Sequence, residues 1–456
     1  MIYTLGGIII AFITIWNYKK GFLLFLLFQM IWFPDTQVVQ IGGLSLNINF
    51  LMSTMYVLLF LIKSKGKIRC TGGKFPYTVP MMCITFSLFI TCFTSLSGFF
   101  SEFAKAIGLV MMDILMVYLI WKYVCDKSDF AFLFKGLTII LFISCIYCLL
   151  EGVVHINPVL NYKISCSSNS LSVYADYFYG YGRGYRCYSI FEHPICASMI
   201  YALYVALVLN MIMNSKKIPY KHLTIITMLL SVICVFFTKQ RAGMFLLAIS
   251  VLPCINFKKK KFYKLALLAV ICVLFILPFI WDYLFVLLSS FIPNMDNGSG
   301  GVVGGSTSSM RLMQLNAVYH IMLQSPIAGL GENFKRLYSS VYAAQALDFE
   351  SLWFEQMAKH GILGVLAYIV MIYYSVYKIP KHFRSKQVFY LSLAYWATYT
   401  LTSTPYFRIY FLYAVIFYFI KNSEAYTTMQ SGQSLIKNNR CGFYTTDDFW
   451  IRGSNT

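Results

Sequence analysis

Met310-Arg311-Leu312-Met313-Gln314-Leu315-Asn316 and, after it, Pro326-Ile327-Ala328-Gly329-Leu330-Gly331-Glu332-Asn333-Phe334 stand inside the one long break in an otherwise lipid-soluble sequence. The break covers 282–364. It opens with a Gly/Ser run at 297–309, passes through these two segments and reaches Asp348-Phe349-Glu350-Ser351. It closes on His360-Gly361-Ile362-Leu363-Gly364. A polar stretch of this length between apolar ones is either functional or disordered. An arginine and several acids beside compact Gly/Pro turns favour a folded, functional loop.

Outside the break the chain is apolar almost throughout. Of its 456 residues, 59% are hydrophobic and 12% charged, with a mean hydropathy of +0.67. That composition excludes a soluble core and points to a multi-pass membrane protein. A span needs about 20 mostly apolar residues, with ~17 as the lower end. In lipid the backbone must satisfy itself, so the apolar runs are helices; the alternating ten-residue strands of a barrel do not occur. The pattern predicts helices near 3–16, 21–33, 48–62, 80–95, 107–122, 136–151, 190–213, 222–237, 242–256, 265–281, 358–377, 387–402 and 407–421. The expected fold is therefore an all-α integral membrane protein with about thirteen transmembrane helices. One large extracytoplasmic loop should carry short helices. The parts are 1–151 (six helices), 152–281 (an outer loop and helices seven to ten), 282–357 (the large loop), 358–421 (three helices) and 422–456 (a polar cytoplasmic tail). Met1-Ile2-Tyr3-Thr4 has no basic run before it and no cleavage site follows, so the first helix is expected to be retained.

The formal charge of +20 invites an anionic partner such as nucleic acid, but topology accounts for it. With the N-terminus outside, the alternating inner segments collect 26 of the 37 Lys+Arg and 6 of the 17 acids. The entire excess then lies on the inner side, as the positive-inside rule requires. The charge reports orientation, and no nucleic-acid partner is implied.

Most of the 13 cysteines fall in helices as small apolar residues. Cys145-x-x-Cys148 lies within a predicted span, and neither a His nor a second pair completes a metal or redox site there. Cys166 and Cys187 share one outer loop and are expected to form a disulfide. That loop also holds Tyr174-Ala175-Asp176-Tyr177-Phe178-Tyr179-Gly180-Tyr181-Gly182-Arg183-Gly184-Tyr185-Arg186. Two readings fit it: aromatic and arginine side chains that stack on sugars and reach phosphates, or an aromatic belt at the bilayer surface. No internal repeat of helix hairpins supports a transporter built on duplicated halves. The short basic inner segments contain no nucleotide-binding Gly-rich loop and no paired-Asp metal signature. Chemistry is accordingly expected outside, on a substrate that arrives already activated, with no cofactor and no metal.

Four outer elements hold the candidate residues. They are Arg186-Cys187-Tyr188-Ser189-Ile190-Phe191-Glu192-His193-Pro194, Thr238-Lys239-Gln240-Arg241-Ala242-Gly243, Arg311 with the Gly329/Gly331 turn, and Asp348-Phe349-Glu350. Arginine suits a diphosphate because it stays charged and offers a planar fork of donors. A side chain snorkelling to the headgroups is the alternative for Arg183, Lys335 or Arg336. Arg241 stands in a turn too short to be a free loop, which favours function. Glu350 reads either as a general base or as an acid at a helix N-terminus. His193, before a proline, reads as opening a helix; His320 and His360 read as structural. Asp113, within a span, is a partner inside the bundle or part of the cleft.

Taken in order, Arg-x4-Phe-x-His-Pro (Arg186 to Pro194), Thr-x-x-Arg-x-Gly (Thr238 to Gly243), Arg311, and Pro326-x2-Gly-x-Gly-x2-Phe resemble the bacterial O-antigen polymerase/O-antigen ligase superfamily. Glu350-Ser351 followed by Gly361-Ile362-Leu363-Gly364 fits it too. The resemblance implies glycan transfer from an undecaprenyl diphosphate carrier at the outer face of the cytoplasmic membrane, without nucleotide or metal. It implies a carrier-linked donor and acceptor, surrounding membrane lipid and a chain-length regulator as partners. Arg241 and Arg311 match arginines that face the diphosphate, and Arg186 matches an outer-loop arginine. Arg183, Tyr185 and His193 are the neighbouring candidates for substrate binding, and Glu350 would orient or deprotonate the acceptor. Ligases of the superfamily usually carry a His-Asn pair where this chain has Glu350-Ser351. That departure favours a Wzy-type polymerase of O-antigen or capsule repeat units over a ligase. A lipid-linked oligosaccharide flippase is the alternative of another class.

Overall fold

In lipid an apolar helix gains nothing from leaving water, so helices associate through close packing and small residues rather than by hydrophobic burial. The computed structural model describes residues 2–29, 37–41, 44–63, 75–124, 126–166, 185–191, 193–213, 218–251, 308–338, 349, 351–400 and 410–423. The first helices are α1 (Ile2–Trp16), α2 (Tyr18–Phe28), α3 (Ile48–Lys63), α4 (Thr78–Thr91) and α5 (Phe99–Tyr123). They are followed by α6 (Lys127–Val154), α7 (Pro158–Cys166), α8 (Pro194–Met213), α9 (Lys221–Phe237) and α10 (Arg241–Val251). After the break come α11 (Ser308–Gln324), α12 (Phe334–Tyr338), α13 (Leu352–His382), α14 (Lys386–Tyr399) and α15 (Tyr410–Lys421).

Twelve of the thirteen expected helices coincide with these elements; the one near 265–281 lies outside the described residues. Among the described residues, four helices are long and apolar enough to cross a membrane by themselves: α5, α6, α8 and α13. Six described helices are apolar but shorter, so a count of thirteen spans is not established. Residues 308–338, part of the segment expected to form a large loop, hold the helices α11 and α12. The all-α class holds, with one unexpected addition: β1 (Gln37–Ile41) and β2 (Leu44–Asn47) pair antiparallel, with Ile41 opposite Leu44. The two residues between them in sequence are Gly42-Gly43, a spacing and composition that tight hairpins use.

At the centre lies α8, with Ala197, Tyr201, Ala202, Tyr204 and Ala206 all at most 1% exposed. It packs on α9, α10 and α14. Gly243 of α10 sits so close to α8 that a Cβ there would stand 2.4 Å from Ser198 Cβ. A small residue is what permits that approach.

The ends of the helices sort into two groups. At one end Lys19 pairs with Asp126 (3.1 Å) and Asp129 (2.8 Å), and Lys63 lies over the Tyr18 ring. Lys122 lies over Phe60, Lys135 over Tyr220, and Lys421 donates to the Trp121 and Val124 carbonyls. Every one of these lysines belongs to a segment expected inside. At the other end the α4–α5 turn meets the Pro326 loop, and the 185–191 segment meets the end of α9. Among the described residues, the motif-bearing segments gather at the helix ends opposite Lys19, Lys63, Lys122, Lys135 and Lys421.

Candidate functional site

A helix can break inside a bundle only if its orphaned backbone groups find new partners. Within α13, Gly361 takes φ 62°, ψ −154°, a conformation that ends one helical segment and starts another. The Pro326 loop fills the break. Leu330 N–H and Gly331 N–H donate to the Ala358 and Lys359 carbonyls, each at 3.0 Å. In return, Ile362 N–H and Leu363 N–H donate to the Pro326 and Ile327 carbonyls at 2.9 and 3.1 Å. The glycine spacing follows from this fit. Gly329 (φ +70°) lies where a Cβ would come within 2.4 Å of the Lys359 carbonyl, and Gly331 (φ +85°) where one would meet Ser95 Oγ at 2.4 Å.

Side chains secure the loop on both flanks. From α4 and its turn, Thr91 Oγ1 donates to the Ala328 carbonyl (2.8 Å) and Thr94 Oγ1 to the Gly329 carbonyl (2.7 Å). Glu102 accepts from Glu332 N–H (2.8 Å) and from the hydroxyls of Ser95 and Ser97. From α13, Lys359 Nζ lies 2.6 Å from Glu332 and 2.8 Å from Glu355. His360 Nε2 is 3.7 Å from Glu332, and its Nδ1 meets Thr91 Oγ1 at 3.0 Å. Burial by itself would push the Glu332 carboxyl up. Lys359 and His360 beside it override that and hold it well below the usual carboxylate range.

A second cluster forms where 185–191 folds against α6 and α9. Glu151 is 1% exposed and accepts from Tyr185 OH (2.8 Å), Asn157 Nδ2 (2.9 Å), Tyr188 N–H (2.9 Å) and Ser189 N–H (2.6 Å). This carboxylate holds Ser189 in the left-handed region (φ +54°) and presents the buried Arg186 between its anchors. His193 Nδ1 accepts from Ile195 N–H (3.1 Å), so it opens α8 as a cap. Burial, aided by the charge of Arg186, depresses the His193 imidazole to about 3. Burial lowers the Lys239 ammonium and Arg186 adds to it, so Arg186 stands within electrostatic reach of both His193 and Lys239.

Arg241 follows as the first residue of α10, half-buried, two residues beyond Lys239. Arg311 stands half-buried on the first turn of α11, whose inner face packs on α13. The expected residues thus divide: Arg186, His193, Lys239 and Arg241 belong to the α8–α9–α10 corner, and Arg311 to the helix leading into the α13 break. Arg183 and Glu350 lie outside the described residues. Tyr185 serves the Glu151 anchor and stacks on His155 (centroids 5.0 Å apart).

The expected Cys166–Cys187 disulfide needs correction. Cys187 is a buried free thiol turned toward Cys148 and Cys234. Its bond to Cys148 and its burial push the thiol up, away from reactivity. The Cys166 side chain lies outside the described residues. Asp113 sits in a π-helical turn of α5, Val110–Leu115, and the Tyr410 hydroxyl donates to the neighbouring Met112 carbonyl. Such turns recur at functional sites.

Sequence reading missed Glu102, Glu151, Glu332, Glu355 and Lys359. The i,i+4 spacing of Glu355 and Lys359 was the only local signal.

Helices long enough to cross a bilayer, a re-paired break and cationic residues gathered at one end define a membrane protein with a charged site at a bundle end. Residues 226–369 match the family model described as O-antigen ligase. The match bears out the resemblance to the O-antigen polymerase/ligase superfamily and embraces Arg241, Arg311, the Pro326 loop and the Gly361 break. The match lends no support to a flippase. No curated protein matches the chain.

Proposed function

We propose that the chain polymerises undecaprenyl-diphosphate-linked oligosaccharide repeat units of an O-antigen or capsule. The site would face the exterior of the cytoplasmic membrane. The family match over 226–369 carries the reading, because it takes in both arginines suited to a diphosphate. An acceptor sugar hydroxyl attacks the anomeric carbon of the carrier-linked donor, and the carrier diphosphate departs. Arg241 and Arg311 offset charge growing on that leaving group, with Arg186 and Lys239 adding positive potential at the α8–α9–α10 corner. Glu350 receives the hydroxyl proton. Substrates are lipid-borne, and a chain-length regulator is a fitting protein partner.

The ligase reading is favoured by the description of the matching family; the Glu350-Ser351 pair favours the polymerase. The glycan profile of a deletion strain separates them. A polymerase is supported by loss of polymer with single carrier-linked units retained. Long polymer stranded on the carrier refutes it in favour of a ligase.

A further inference from the structure

The four backbone bonds that seat the Pro326 loop in the α13 break need glycine at 329 and 331 but require no charged side chain. They do not by themselves say what keeps the loop in. The charges do. Lys359 Nζ, on a side chain only 13% exposed, stands 2.6 Å from Glu332 on the loop and 2.8 Å from Glu355 one turn back on α13. Glu102 and Lys105 face the same place from α5, 3.9 Å apart, and His360 faces it from α13. Remove the ammonium and the buried Glu355 carboxylate confronts the half-buried Glu332 carboxylate across the space it filled. An unpaired buried charge costs far more than a pair contributes, and ejecting the loop is one way to relieve it. Expelling the loop would also move α11, which enters it through Ser325 and carries Arg311.

We propose that Lys359, clasped between Glu332 and Glu355, is a positioning residue: it latches the 326–334 loop into the Gly361 break and thereby sets where Arg311 stands. The inference rests on the proposed glycosyl transfer. Lys359 touches no reacting atom. It acts through the loop and α11.

Two readouts test it on the full-length chain purified in detergent, with a carrier-linked repeat unit as substrate. The first is amide hydrogen exchange at Leu330, Gly331, Ile362 and Leu363. The second is the KM for the carrier-linked unit against kcat. In Lys359→Gln, exchange at those amides should accelerate about 10²-fold or more, and the loss in kcat/KM should appear mainly as a higher KM. The double variant Lys359→Gln/Glu332→Gln removes the stranded charge and should recover most of the protection and of the KM. Activity of Lys359→Gln should also improve toward lower pH, where protonation of Glu332 or Glu355 relieves the repulsion. Unchanged exchange in Lys359→Gln overturns the latch. Faster exchange with an unchanged KM reduces Lys359 to a purely structural role and overturns the positioning. A wild-type chain that is inert on carrier-linked units refutes the functional reading instead, while the exchange measurement still decides the latch.

Discussion

Two glycines at the same end of the bundle both have positive φ but differ in their surroundings, and alanine should separate them. Gly98 has φ +83° and nothing within 4 Å of where a methyl would stand, whereas Gly329 has φ +70° and faces the Lys359 carbonyl at 2.4 Å and His360 N at 2.5 Å. Gly98→Ala carries only the strain of its own backbone (φ 83°, ψ 153°), a region that glycine alone ordinarily enters, about 1–3 kcal/mol. Gly329→Ala carries positive-φ strain as well, plus an overlap with backbone atoms that cannot rotate away, typically about 1–3 kcal/mol more. It also endangers the buried bonds from Leu330 and Gly331 to the α13 carbonyls, at roughly 1–3 kcal/mol for each group left unsatisfied. The loop in Gly329→Ala should therefore lose at least about 3 kcal/mol, which at tenfold per 1.4 kcal/mol is ~10²-fold faster exchange at Ile362 and Leu363. Gly98→Ala should leave those two amides within about tenfold of wild type. Amide exchange read by mass spectrometry on the detergent-purified chain makes the comparison. Equal protection in the two variants would refute the splice as the reason for the glycine spacing.

Three further expectations concern other parts of the chain. His193 titrates near 3 when folded against about 6.5 unfolded, so its contribution is present above pH 6.5 and is lost as pH falls toward 3, by up to about 1.4 kcal/mol per unit. His193→Asn keeps an acceptor for Ile195 N–H and should flatten the acid limb of a thermal-stability profile; an unaltered limb assigns it to other groups. Arg241→Lys, Arg311→Lys and Glu350→Gln should each cut polymer formation by about 10²–10³ while the protein still reaches the membrane, and in vitro activity should survive EDTA. Normal polymer in both arginine variants removes the diphosphate clamp, and normal polymer in the Glu350 variant leaves that residue as a helix-terminal acid. For orientation, cysteines at Gln324 and Lys386, both exposed, should respectively react and fail to react with an impermeant maleimide on intact cells; the reverse pattern inverts the topology.

The sequence by itself determined the helical membrane architecture, because the requirement behind it is local: each apolar run must satisfy its own backbone in lipid. That is why twelve expected helices recur among the described residues, and why lysine placement anticipated which helix ends share one side. The motifs were legible as an order of residues, and the 226–369 match agrees with them. Their physical purpose was not. Pro326-x2-Gly-x-Gly reads as a turn until Gly361 is seen to break α13 and the loop to take up the four stranded backbone groups. The hairpin around Gly42-Gly43 escaped because its short strands sit among helical runs, although the Gly-Gly spacing was a signal. Glu151, Glu102 and the Glu332–Lys359–Glu355 clasp escaped for a different reason. Whether a carboxylate is an anchor or a solvated charge depends on partners such as Ser189, 38 positions away from Glu151, or Glu332, 230 positions away from Glu102. Only tertiary structure brings those partners within hydrogen-bond reach, and inside a bundle of low dielectric that proximity decides what each charge does.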